Sequence, residues 1–257
     1  MNWIAIEHWA YASSAVLGTL AVTVLFALLL RRPGFRVWVA TLDGLAPPFL
    51  NAPATLFGLT LAFIAADTWA SRDRAIKAVF REAEGMHTLL IMAQALPDPQ
   101  ATALDRAVRA YGQAVVDEWP ELADSKEDRN VAQTGDALLA LVAGRGFGAV
   151  AGDPLQGALL AKVAEVRSER DLRASLTRMH LNPLKWLGMA LLGFLTLLSI
   201  AVVHAANPRA GLVGVIIFAT AAAPSAAVVL VQGNPFQKPA AVSPHEIIEV
   251  VGPPATG

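Results

Sequence analysis

The chain has 257 residues, of which 55% are hydrophobic and 16% charged, and its net charge is −1. Soluble domains carry about 25% charged residues, and a chain with no net basic charge lacks the electrostatic footprint of a nucleic-acid binder. There is no cysteine, which excludes disulfides, thiolate zinc sites, iron–sulfur clusters and cysteine nucleophiles.

The charge is uneven: of 41 charged residues, 31 lie between Asp67 and Arg178. Two pairs of apolar stretches bracket that segment, Tyr11–Leu30 with Phe49–Ala66 and Leu184–Ala206 with Ala210–Val231. About 20 apolar residues rise roughly 30 Å as a helix, the thickness of a bilayer's hydrocarbon core. The expected fold is an all-α polytopic membrane protein with four transmembrane helices in two pairs, flanking a cytoplasmic helical domain. Residues 1–66 hold the first pair (11–30, 49–66), 67–182 the cytoplasmic domain, 183–232 the second pair (184–206, 210–231), and 233–257 a Pro-rich tail.

In chain order, Met1–Ala10 carries Glu7 and no Lys or Arg, and no small-x-small site follows the first apolar run. That run therefore reads as a retained helix rather than a cleaved signal peptide. It stops at Arg31-Arg32-Pro33-Gly34, where the arginines reach the interface and Pro and Gly end the helix. Trp38 fits an interfacial anchor and Pro47-Pro48 a break. The second span meets no stop at its end. Ala75, Val79, Ala83, Met86 and Leu90 recur every three or four residues, so one helix continues out of the membrane to Leu96. Pro97-Asp98-Pro99 makes a turn. Helices follow over Gln100–Trp119 and Asn130–Ala143, the latter ended by a glycine loop over Gly144–Gly148. Asp153-Pro154 opens a long helix to His180, with a break at Asn182-Pro183 before the third span. Asn207-Pro208-Arg209 allows only a tight hairpin between the last two spans. Ser243-Pro244-His245-Glu246 is a capping box that predicts a short helix over 244–250.

Positive residues near span ends mark the cytoplasmic side. Placing the middle domain and both termini inside puts Arg72, Arg74, Lys77, Arg81, Arg167, Arg170, Arg173, Arg178, Lys185 and Lys238 within. It leaves Arg31, Arg32, Arg36 and Arg209 outside.

Enzyme chemistry finds no support. The five histidines are scattered, with none at ligand spacing. Gly144–Gly148 lacks the Lys-Ser/Thr of a phosphate loop, and no metal or other cofactor is expected. Glu82 with Glu84, and Asp117 with Glu118, read as solvated helix faces. At the membrane, Asp67 is a candidate vestibule charge or ion-pair partner where the second span exits. Pro224 is a candidate kink in the fourth span.

Several motifs together resemble a bestrophin-like family of unknown function, four-span bacterial membrane proteins distantly similar to bestrophin anion channels. They are Leu56-Phe57-Gly58-Leu59-Thr60-Leu61-Ala62-Phe63, Trp69-Ala70-Ser71-Arg72-Asp73-Arg74-Ala75, Glu82-Ala83-Glu84-Gly85, the Arg-rich Arg167–Arg173, Asn234-Pro235-Phe236 and Val242-Ser243-Pro244. The resemblance implies a homo-oligomer, a pentamer in the true bestrophins, in a bacterial inner membrane with cytoplasmic termini. Its partners would be the lipid bilayer and small ions, anions first. It also implies a pore neck on the second span, carried here by Thr55, Leu59 and Phe63, whose i, i+4, i+8 spacing puts them on one helix face. Thr55 stands where the true channels have a larger apolar residue, and their acidic calcium-binding cluster has no counterpart. The alternative is a non-conducting scaffold or sensor that binds a protein through its cytoplasmic helices.

Overall fold

The computed structural model describes residues 8–41, 51–124, 126, 129–178, 183–238 and 241–252, and among these it contains helices and no strands. The helices are α1 (His8–Arg31), α2 (Pro33–Ala40), α3 (Ala52–Ala93), α4 (Gln100–Leu122), α5 (Arg129–Ala143), α6 (Arg145–Ala151), α7 (Asp153–Arg178), α8 (Pro183–Val203), α9 (Pro208–Val231) and α10 (His245–Val251). The expected span start at Phe49 and the break at Asn182 lie outside the described residues. Among the described residues, three helices, α3, α8 and α9, are long and apolar enough to cross a membrane; counting α1 and α2, bent by 80°, as one broken span makes four. The chain divides into two compact units, Met1–Trp69 with Leu181–Gly233 and Ala70–His180 with Asn234–Gly257.

The first unit is built on small residues that let helices approach closely. Phe26 and Leu30 of α1 are buried with Leu197 and Ala201 of α8 and Val215 of α9. A methyl group at Gly211 would come within 3.1 Å of both Leu30 and His204. Without a hydrophobic force between helices in lipid, such packing is the main source of association. Hydroxyls inside the apolar helices return to carbonyls four residues back: Thr196 to Leu192, Ser199 to Leu195, Thr220 to Ile216 and Ser225 to Ala221, each at 2.8 Å. No polar hydrogen of these groups is then left facing an apolar medium. α9 remains one helix through Pro224, which is exposed.

The second unit has the core of a soluble helical domain. α3 contributes Ala75, Val79, Ala83, Met86 and Leu89, α4 contributes Leu104, Val108, Tyr111 and Val115, and α7 contributes Leu159, Val163 and Val166. α3 and α7 run antiparallel, since Arg81 meets Glu169, Glu82 meets Arg173, and Gly85 lies against Val166.

The glycine segment after α5 differs from the expected loop. Gly144 starts the short helix α6, Phe147 is buried, and Gly152 ends it at φ 75°. Gly148 has no room for a side chain because Gln156 occupies that space, and Gln156 Nε2 donates to the Val142 carbonyl at 2.7 Å. Gly148 serves close packing here rather than an open turn. After α9 the chain straps across the second unit, burying Asn234, Phe236, Val242 and Ile247. Ser243 Oγ accepts from the backbone N–H of His245 at 3.2 Å, at the start of α10.

Candidate functional site

Within the first unit, α3 has two unlike faces. Phe57 is buried, its ring 5.3 Å from that of Phe218 and its edge filling the space over Gly193. Leu61 and Ile64 pack on the same side. At 100° per residue, Leu59 lies about 200° round the helix from Phe57. Thr55, Leu59 and Phe63 accordingly form an exposed face, with Leu59 51% and Phe63 73% exposed. The other described helices of this unit leave this row uncovered. Thr55 Oγ1 returns to the Asn51 carbonyl at 3.3 Å, so its methyl and hydroxyl remain on the exposed side.

Asp67 ends this segment. Its carboxylate accepts from Lys185 Nζ of α8 at 2.8 Å, with both side chains about half exposed. Two turns of helix separate Asp67 from Leu59. Nearby, Trp69 Nε1 donates to Gln232 Oε1 at the end of α9, at 3.0 Å. The arrangement suits a membrane interface, where amphipathic indoles and paired charges sit at headgroup level.

The second unit hides a charged centre that the sequence reading placed on the surface. Arg173, Glu82 and Glu118 have no exposed side-chain surface, correcting the assignment of both glutamates to solvated faces. Glu84 and Asp117 are exposed, as expected. Arg173 Nε donates to Glu82 Oε2 at 2.9 Å and Nη1 to Glu118 Oε2 at 3.2 Å. The Tyr111 hydroxyl donates to Glu82 Oε1 at 2.7 Å, and Arg170 Nη2 to Glu118 Oε1 at 3.3 Å. Two arginines thus neutralise two glutamates. The Arg173 guanidinium also stacks 5.1 Å from the centre of the Trp119 ring. Burial alone would lower the Arg173 pKa, but Glu82, then Tyr111 and Glu118, hold it above its ordinary value. Burial, followed by the charge of Glu82, raises the Tyr111 pKa well above 10.0.

The centre is closed by the strap. Trp119 Nε1 donates to the Val242 carbonyl at 3.0 Å, and its ring meets Phe236 edge-on at 5.5 Å. Asn234 Nδ2 donates to the carbonyls of Leu122 and Ala123 at 3.1 and 3.2 Å, while its Oδ1 accepts from the Phe236 N–H at 2.9 Å. The acidic, Arg-rich and C-terminal motifs, far apart in sequence, therefore serve one buried cluster.

A signal for this centre was present in the periodicity. Glu82 falls on the stripe of Val79 and Met86, Glu118 continues Leu104–Val108–Tyr111–Val115, and Arg170 and Arg173 continue Leu159–Val163–Val166. A charge at a core position of a helix must be paired. Among the described residues, no group of three His, Asp or Glu is gathered to hold a metal.

Apolar helices of bilayer length, joined to a helical unit with a paired ionic core, define a polytopic α-helical membrane protein. A family model for the Bestrophin-like domain matches residues 17–247, and the chain belongs to that family. No curated protein and no solved structure matches the chain.

Proposed function

We infer that this protein is an oligomeric ion channel of bestrophin-like type, with four spans and an apolar neck formed by Thr55, Leu59 and Phe63 of α3. The observation that carries the reading is the exposed Leu59–Phe63 face, opposite the face that packs on α8 and α9. In a homo-oligomer, of five copies on the pattern of the true bestrophins, such faces gather around a common axis. A ring of apolar side chains there gates by dewetting. The Asp67–Lys185 pair then belongs to the wider mouth beyond the neck.

The topology that goes with this reading has both termini and residues 67–182 in the cytoplasm of a bacterial cell, with the spans in its inner membrane. Two of the ten positive charges that favour it, Arg170 and Arg173, belong to the buried ionic centre. The remaining inward charges still outnumber the four outward ones. Because the chain has no cysteine, a single thiol can be placed at Phe63. Phe63→Cys channels should lose current when a small charged thiol reagent is added, and wild type should not. Unaltered current after complete labelling would remove Phe63 from the conduction path.

A further inference from the structure

A second stripe on α3 runs through Ile76, Phe80, Ala83, His87, Leu90 and Gln94, and meets the core stripe at the buried Ala83 and the half-buried Leu90. The steps are four, three, four, three and four residues. This alternation is the 3.5-residue repeat of a helix that packs against another helix along a seam. Ile76 is 44% and Phe80 55% exposed, and Ile91 beside the seam is 53% exposed. From Phe80 to Gln94 the seam lines an open groove of about 600 Å³, whose other wall is α10. Fourteen residues of helix give this groove a length of about 21 Å, four turns of a docked helix.

The groove's charge is one-sided. Glu84, Glu246 and Glu249 line it together with a single cation, Arg109. Arg109 is occupied within its own fold: Nε donates to Asp105 Oδ2 at 3.0 Å, and Nη1 to the Val251 carbonyl at 3.1 Å at the end of α10. Glu249 Oε1 lies 3.1 Å from His245 Nε2, one turn back along α10. A symmetric copy of the same face would bring these carboxylates against themselves. Lys162 and Arg167 of α7 are already committed, Lys162 to Glu165 at 2.6 Å and Arg167 to Asp136 at 2.7 Å.

We propose that the groove between α3 and α10 docks an amphipathic helix of a protein partner, one whose apolar stripe is flanked by Lys or Arg. The apolar floor takes the stripe at i, i+3 and i+4 spacing, and the acidic rim sets the partner's sign and register. This surface does not depend on whether the protein conducts, and its test reads no current.

The test uses full-length protein in nanodiscs of zwitterionic lipid and a fluorescein-labelled 18-residue helical peptide. The peptide carries Leu at its seam positions and Lys at the flanks. Saturable binding is expected, weakened at least tenfold by Phe80→Ser/Ile91→Ser and by Glu84→Lys/Glu246→Lys. A matched Leu/Glu peptide should prefer the charge-reversed variant. Melting curves establish that both variants fold, since the altered side chains are exposed. Equal affinity for wild type and both variants, or for empty nanodiscs, would overturn the proposal. So would efficient oxidative cross-linking of two copies through Ile91→Cys, which would assign the groove to a second copy of this chain.

Discussion

Replacing Arg173 with Met removes the one group that bridges Glu82 and Glu118. Both carboxylates are fully buried. The Tyr111 hydroxyl still donates to Glu82 and the Arg170 guanidinium to Glu118, but neither replaces the Arg173 bridge. Breaking a buried ion pair by deleting one partner costs about 3–5 kcal/mol, and the bidentate hold on Glu82 puts this site inside that range. For a unit of this size, the loss corresponds to a fall in Tm of roughly 10–20 °C. Arg173→Lys should sit between, because one ammonium cannot satisfy two carboxylates in the guanidinium's fork geometry. Combining Arg173→Met and Arg170→Met with Glu82→Leu, Glu118→Leu and Tyr111→Phe should recover much of the loss, since apolar replacement of the whole cluster leaves no charge or hydroxyl stranded. Trp119 stacks on Arg173 and strengthens tryptophan fluorescence as a readout, in a detergent melt of the full chain. A single Met variant that melts within about 3 °C of wild type would refute the reasoning, because the pairing would then contribute little to this unit.

Asn234→Ala should cost about 1–3 kcal/mol, since it strands the buried Leu122 carbonyl, while Gln237 still donates to that of Ala123; an unchanged melt would show the Asn234 contacts to be dispensable. Gly85→Ala should destabilise by about 1–3 kcal/mol by crowding Val166, and Gly85→Ala/Val166→Ala should recover part of it in the same melt. Tyr111 has a raised pKa, so the folded chain keeps a proton that the unfolded chain releases near pH 10. Its contribution is full below about pH 10 and is lost as pH rises through the folded value. The Tm of Tyr111→Phe should therefore fall less steeply than that of wild type above pH 10, and parallel curves would contradict this. Leu59→Ala/Phe63→Ala should raise conductance or alter rectification, because dewetting depends on radius and polarity; identical current–voltage curves would remove both residues from the neck.

The long helix α3 was legible because Val79, Ala83 and Met86 extend a helical period past the apolar run without a Pro or Gly–Pro stop. The helices around Tyr111, Leu138 and Val163 were legible for the same reason. The ionic core was misread because adjacent acids, such as Glu82 with Glu84, look alike in composition. Only their phase on the helix separates the buried one from the exposed one. The Gly144–Gly148 segment misled because glycine permits both a turn and close packing, and only the position of Gln156 decides between them. The strap's contacts were unreadable, since Asn234 reaches Leu122 across 112 positions of chain and Trp119 reaches Val242 across 123. The exposed stripe Ile76–Phe80–His87 was hidden beneath the stronger core stripe on the same helix. The Thr55–Leu59–Phe63 face could be aligned by spacing, but its exposure required knowing which side of α3 Phe57 and Ile64 occupy.

The most direct test of the account is reconstitution of the purified wild-type protein in planar bilayers with asymmetric salt. The account predicts unitary currents whose reversal potential shifts toward the equilibrium potential of the permeant ion, the anion in the first instance. Protein that melts cooperatively, inserts into the bilayer and yet carries no current under these conditions would contradict the channel reading.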